Sequence, residues 1–112
     1  MENMIRAALV GALLAVTAGA AAAQSPVDKG QQVFTAQKCA ICHAIAGKGN
    51  GKGVLDGVGT KLSADEIRQW IVNAPEMAAK SKADRKPPMK AYASLPKDEL
   101  DALVAYLASL KK

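Results

Sequence analysis

Cys39, Cys42 and His43 are the residues whose types and spacing carry the most specific chemistry in this chain. Two cysteines separated by two residues and followed directly by a histidine form the pattern at which c-type haem is attached. Each thiol can add across one haem vinyl group, and the next residue then presents an imidazole to the iron. The sequence contains no other cysteine and no other histidine. The pattern therefore predicts one covalently bound haem c.

Three other uses of these residues fit their types but fit the context less well. A zinc site normally has four N or S ligands, and only three are available here. A redox-active dithiol would open a helix after a strand, and no alternating strand-like run precedes Cys39. A structural disulfide in an exported protein is the plainest alternative, and it leaves His43 without a role.

The first 23 residues are typical of a signal peptide. Arg6 gives a weakly basic start, residues 7–23 are rich in alanine, leucine and valine, and Ala21-Ala22-Ala23 fits the small-residue rule for cleavage. The apolar run is shorter than the roughly 20 strongly apolar residues that span a bilayer, although an uncleaved anchor is the alternative. We predict a signal peptide at 1–23 and one domain at 24–112, exported to the periplasm and without a membrane span of its own.

The first half of the predicted domain should contain one helix and a loop. Ser25 as N-cap and Pro26 in the first turn predict a helix start, and apolar residues follow at helical spacing as far as Cys39. Residues 47–53 hold four glycines without periodicity and are predicted to be loop. No β hairpin is predicted.

The second half should contain two helices separated by an irregular segment. Ser63 and Glu66 form a capping-box pattern, which predicts a helix that ends at residues 73–75. Residues 76–94 are basic and rich in proline, and we interpret them as irregular. The last helix is predicted to start at Pro96 and to bury a face of leucine and valine.

These features together resemble the class I cytochromes c over essentially the whole predicted domain. Gly30 with Phe34 resembles the small–aromatic pair of that family's first helix, and residues 102–107 resemble the matching stretch of its last helix. The resemblance implies an all-α cytochrome c fold. In this fold the N- and C-terminal helices cross, and loops and a short middle helix wrap the haem.

The resemblance also implies a second axial ligand, a methionine well downstream of His43. Met4 lies in the predicted signal peptide, and Met77 is interpreted as a core methionine or part of a helix start. Met89 follows two prolines, which hold the chain extended, as in the ligand loop of the family. His43 and Met89 are therefore the predicted axial ligands, with Met77 as the alternative to Met89.

The chain departs from the family pattern in the loop that orients the histidine. Gly53 stands where family members commonly carry a proline. Metal-bound histidines usually donate their second ring N–H to a nearby acceptor. A backbone carbonyl between Lys52 and Leu55 is the expected acceptor for His43.

Two aromatic residues have open roles. Trp70, the only tryptophan, is either a core aromatic of an amphipathic helix or, as in similar proteins, a donor to a haem propionate. Tyr92 either covers the haem edge or fills the core of its loop.

The charge balance points to the kind of partner. The predicted mature domain keeps 14 of the 15 basic and 9 of the 10 acidic residues, so its net charge stays at +5. Five lysines flank segments expected near the haem: Lys38, Lys48, Lys52, Lys86 and Lys90. They either solvate the surface or steer the protein onto acidic redox proteins. No element typical of nucleic-acid binding is apparent, and a monomer is expected.

The function predicted from these observations is electron transfer without catalysis. Closed His/Met coordination leaves no position for a substrate at the iron. One alternative is a haem subunit of a larger dehydrogenase or oxidase. The other is a sensor or peroxidase with an open iron position, which requires that Met89 does not ligate.

Overall fold

The computed structural model describes residues 24–112, so the predicted signal peptide at 1–23 lies outside the described residues. The described range contains five α-helices, which are α1 (Pro26–Ala36), α2 (Val58–Lys61), α3 (Ala64–Val72), α4 (Ala74–Ser81) and α5 (Lys97–Ala108). Two short 3-10 turns cover Cys39–Ile41 and Gly51–Gly53, and strand β1 (Ala44–Ile45) pairs with β2 (Lys48–Gly49). This mostly helical order confirms the predicted fold class. No helix within residues 24–112 has the length and apolar character needed to cross a membrane.

Helices α1 and α5 pack against each other at Gly30. The helix α1 begins as predicted, with Ser25 Oγ accepting from the Asp28 N–H at 3.1 Å. A Cβ at Gly30 would overlap the carbonyl oxygen of Ala102 and the Cβ of Tyr106. Glycine in a helix interior costs about 1 kcal/mol relative to alanine. At this position the absence of a side chain offsets that cost, because it lets the backbones of α1 and α5 come into contact.

The core lies where α1, α3 and α5 meet. Phe34 and Tyr106 are in edge-to-face contact, with ring centroids 6.0 Å apart and planes at 70°. The buried cluster contains Val33, Phe34, Ile67, Ile71, Leu103, Val104, Tyr106 and Leu107. Each such aliphatic or aromatic side chain stabilises the fold by about 1.5–3 kcal/mol when fully buried.

Helix α3 has the predicted capping box, but the prediction for the segment after it is wrong. The Glu66 N–H donates to Ser63 Oγ at 3.1 Å, and the Ser63 N–H donates to Glu66 Oε1 at 2.9 Å. Asn73 ends the helix, as expected. Residues 76–94 are not irregular throughout, because α4 begins at Ala74. Pro75 lies in the first turn of this helix, where a missing N–H breaks no hydrogen bond.

A short hairpin replaces part of the predicted loop, so the expectation that no hairpin forms is also wrong. Strand β1 pairs antiparallel with β2, with Ala44 opposite Gly49 and Ile45 opposite Lys48. The two connecting residues, Ala46 and Gly47, have φ angles of +53° and +81°. Two consecutive positive φ angles suit the tight two-residue turn that twisted strands favour.

Candidate metal centre

Two adjoining cavities beside the core contain the predicted ligand residues. One, of about 350 Å³, is lined mainly by apolar side chains of α1, α3 and α5, and the other, of about 510 Å³, lies beneath the segment that carries Met89. Both cavities share six lining residues: Gln37, Cys39, His43, Trp70, Met89 and Tyr92. Cys42 lines the second cavity. The structure therefore places all four predicted attachment and ligand residues around these two adjoining cavities.

A tight turn after α1 positions the two cysteines and the histidine. Lys38 adopts a left-handed conformation with φ of +59°, and this ends the helical direction of α1. The backbone N–H groups of Cys42 and His43 both donate to the carbonyl of Cys39, at 3.1 and 2.9 Å. The turn holds the three side chains in a fixed mutual arrangement.

The ring of His43 is oriented by a backbone carbonyl. Its Nδ1 lies 3.0 Å from the carbonyl oxygen of Gly53. A carbonyl only accepts, so Nδ1 carries the proton and donates, which leaves the Nε2 lone pair for a metal. The expected acceptor between Lys52 and Leu55 is therefore Gly53, which ends the second 3-10 turn.

The surroundings of His43 favour its neutral form. Burial lowers the pKa of His43, and the positive charge of Arg85 lowers this pKa further, while the hydrogen bond to Gly53 opposes the shift. The neutral imidazole is the form that binds metals. The lowered pKa therefore favours the form of His43 that a metal ion would require.

Neither thiol of the attachment pattern is in a disulfide. Burial raises the pKa of the Cys39 thiol, and the nearby Cys42 adds to that rise. Reactive dithiols instead have lowered pKa values, so this environment does not favour the redox-dithiol alternative. Zinc is not favoured either, since the part of the chain that the structure describes holds no cluster of three or more His, Cys, Asp or Glu side chains suited to a metal ion.

The structure places the two candidate methionines differently. Met89 is partly buried and lines both cavities, next to Pro87 and Pro88. Met77 is partly buried on α4 and lines neither of these cavities. The position favours Met89 over Met77, and ligation by Met89 stays a prediction.

Trp70 and Tyr92 both border the shared space. Trp70 is only partly buried and lies outside the buried core cluster, although it is on α3. Tyr92 packs against the core, and its backbone N–H donates to the carbonyl of Ile71 at 2.8 Å. Burial, followed by the neighbouring thiols, raises the pKa of Tyr92. Tyr92 therefore fills the loop core and lines the cavity at once, and the propionate contact of Trp70 stays a prediction.

Arg85 is a residue of the site that the sequence did not single out. It is partly buried and lines the second cavity, whereas Asp84 and Lys86 on either side of it are exposed. A Cβ at Gly53 would overlap the Arg85 Nη1 atom, so the guanidinium lies directly against this glycine. In the sequence Arg85 is one cation among several in a basic segment, and no pattern distinguishes it.

Comparison with known proteins gives one family. The family model described as Cytochrome c matches residues 27–111. The match includes the attachment pattern, the segment with Met89 and both helices that meet at Gly30. Comparisons with curated proteins and with solved structures found no match.

Proposed function

Because the chain belongs to the cytochrome c family, whose members transfer electrons through haem, we propose that it is a periplasmic electron carrier with a single haem c. In this proposal Cys39 and Cys42 hold the haem through thioether bonds, and His43 and Met89 are the axial ligands. The observation that carries it is the shared cavity space, to which Cys39, His43 and Met89 all contribute.

The residues around this space fit the proposed group. A haem is a largely apolar macrocycle with two vinyl groups, and the two cavities together offer an apolar lining and two free thiols. The Nε2 atom of His43 is left for the iron, because Nδ1 is held by Gly53. The thioether of Met89 is a soft ligand of the kind that accompanies histidine in cytochromes c.

In this proposal the polypeptide orients His43, excludes water from the haem and occupies both remaining coordination positions of the iron. Haem, when bound, supplies a one-electron Fe(III)/Fe(II) couple. The Gly53 carbonyl fixes the ring of His43, and the apolar residues of α3 and α5 exclude water from the interior side of the cavity. With His43 and Met89 both ligating, no coordination position is left for a substrate. This closure supports a carrier rather than an enzyme.

The proposed partners are redox proteins with acidic surfaces. Lys38 and Lys90 are exposed and line the second cavity, and Ile41 beside them is 67% exposed. A small apolar contact within a positive surface suits brief encounters, because electrostatic steering acts mainly on the association rate. The protein is proposed to act as a monomer, with export directed by residues 1–23.

The proposal is tested by the ferric absorption spectrum of protein exported through a haem-attachment system. We expect the weak far-red charge-transfer band of methionine sulfur on ferric iron. Met89→Ala should abolish this band, and Met77→Ala, the matched control, should retain it. Covalently attached haem without the band would overturn the closed coordination, and an open iron position would then favour sensing or peroxidase chemistry. Co-purification with a dehydrogenase or oxidase would favour a permanent subunit instead.

A further inference from the structure

The backbone at Gly53 is a point where three groups converge. A Cβ placed on Gly53 would overlap Arg85 Nη1 and the carbonyl oxygen of Cys42. The same Cβ would lie 2.9 Å from His43 Nδ1. The same glycine accepts the hydrogen bond from Nδ1 at 3.0 Å. Because Gly53 has no side chain, the guanidinium of Arg85 lies on the backbone that orients His43.

Among the described residues, no carboxylate forms an ion pair with Arg85. Within residues 24–112 the ion pairs are Lys29–Asp98, Arg68–Asp101, Lys80–Glu76 and Lys97–Asp101, and none of them includes Arg85. A guanidinium stays protonated under all conditions in which the protein is folded. Arg85 is also partly buried, so solvent and salt screen its charge less than that of an exposed lysine.

We infer that Arg85 is a positioning residue for His43, and that its guanidinium against Gly53 raises the reduction potential of the centre. The inference rests on the proposed electron-carrier function. The charge of Arg85 is the same in both oxidation states, and a fixed positive charge favours the state that holds one more electron. The contact of the guanidinium with Gly53 also holds the backbone whose carbonyl orients His43.

The alternative role for Arg85 is an ion pair with a haem propionate, remote from the His43–Gly53 hydrogen bond. The two roles differ in what they do to His43. A guanidinium against Gly53 shields the Nδ1 proton from water, and a guanidinium on a propionate does not.

The test compares holoprotein variants by two measurements that do not depend on electron transfer to a partner. The first is the midpoint potential of Arg85→Gln, with Arg85→Lys as the conservative variant and Lys82→Gln as the control. Lys82 is an exposed cation three residues earlier, so the control removes the same charge from the same segment. The second is the exchange rate of the His43 Nδ1 proton, followed by NMR in the ferrous protein.

We expect Arg85→Gln to lower the equilibrium constant for reduction about tenfold, which is 59 mV for one electron. The midpoint potential of Arg85→Lys should lie close to that of the wild type, and Lys82→Gln should change the potential little. In the second measurement, the Nδ1 proton of His43 should exchange severalfold faster in Arg85→Gln than in the wild type. A potential shift in Arg85→Gln no larger than in Lys82→Gln would overturn the inference. So would a large potential shift with unchanged Nδ1 exchange, since that result assigns Arg85 to a propionate. If the wild-type protein shows no reversible one-electron couple, the proposed function itself fails.

Discussion

Gly30 on α1 lies directly against the carbonyl oxygen of Ala102 on α5, with no space for a methyl group between the two helices. This contact sets how closely the first and last helices pack, and the core residues Phe34 and Tyr106 meet beside it. Because α1 leads into the turn with the cysteines, the position of that turn depends on this packing.

We therefore expect Gly30→Ala to destabilise the holoprotein by about 3 kcal/mol, at the upper end of the usual cost of overpacking. The added methyl group meets a backbone carbonyl, which cannot rotate away as a side chain can. Chemical denaturation followed by circular dichroism measures the change. The control is Gly51→Ala, since a Cβ at Gly51 meets nothing within 4 Å. Equal stabilities of the two variants would contradict this account of the helix contact.

Replacement of Met89 should also lower the reduction potential. Methionine opposite histidine raises the potential of a haem iron, because the thioether favours the ferrous state. Axial ligands span a range of about 0.8 V, so we expect Met89→Ala to lower the potential by about 0.1 V or more. The ferrous variant should also bind carbon monoxide, which the wild type should not. A normal potential in Met89→Ala together with a lowered one in Met77→Ala would assign the ligand to Met77.

The sequence predicted the elements whose signals are local. The capping box of Ser63 and Glu66 and the helix start at Ser25 are each set by residues three positions apart, and both form as expected. Gly30 was recognisable through Phe34, because the two residues resemble the small–aromatic pair of the family's first helix.

The helix α4, the hairpin and the position of Arg85 were not predicted, because they depend on packing and contacts that a single sequence does not show. Pro75 ends one helix pattern and also suits the first turn of another, and only the packing of α4 decides between these outcomes. The hairpin turn at Ala46 and Gly47 was hidden in a glycine-rich run. Arg85 acquires its role through Gly53, 32 positions earlier in the chain, and no periodicity connects the two.

The domain should depend on haem for its fold. Only a small buried cluster holds the helices together, and the cavity that adjoins it would expose apolar surface to water if it were empty. Small domains often depend on a covalent or metal staple, because their cores are small. We expect Cys39→Ala/Cys42→Ala protein prepared without haem to be largely unfolded by circular dichroism. A native-like spectrum with a cooperative melt would show that the polypeptide folds without its cofactor.

Reaction with an acidic redox protein should depend on ionic strength. Attraction between opposite surface charges reaches about 30 Å at 0.01 M salt and about 10 Å at 0.1 M. We expect the second-order rate constant to fall at least about tenfold over this range, as for other steered associations. Lys38→Gln/Lys90→Gln should flatten the dependence. Lys111→Gln, an exposed cation that lines neither cavity, should affect it less. A rate indifferent to salt in the wild type would rule out steering.

The ion pair between α1 and α5 should make the stability of the protein sensitive to acid. Lys29 Nζ lies 2.5 Å from Asp98 Oδ2, and this pairing lowers the pKa of Asp98. A lowered pKa means that the folded state favours the carboxylate, so the stabilisation is complete above the ordinary aspartate pKa of about 3.9 and is lost as the pH falls through the lower folded value. Asp98→Asn should therefore melt below the wild type at pH 7, and the gap should close as the pH falls through the lowered pKa of Asp98 in the folded state. Asp84→Asn is the control, since Asp84 is exposed and belongs to none of the ion pairs within residues 24–112. A gap between Asp98→Asn and the wild type that persists unchanged in acid would show that the Lys29–Asp98 contact does not contribute through charge.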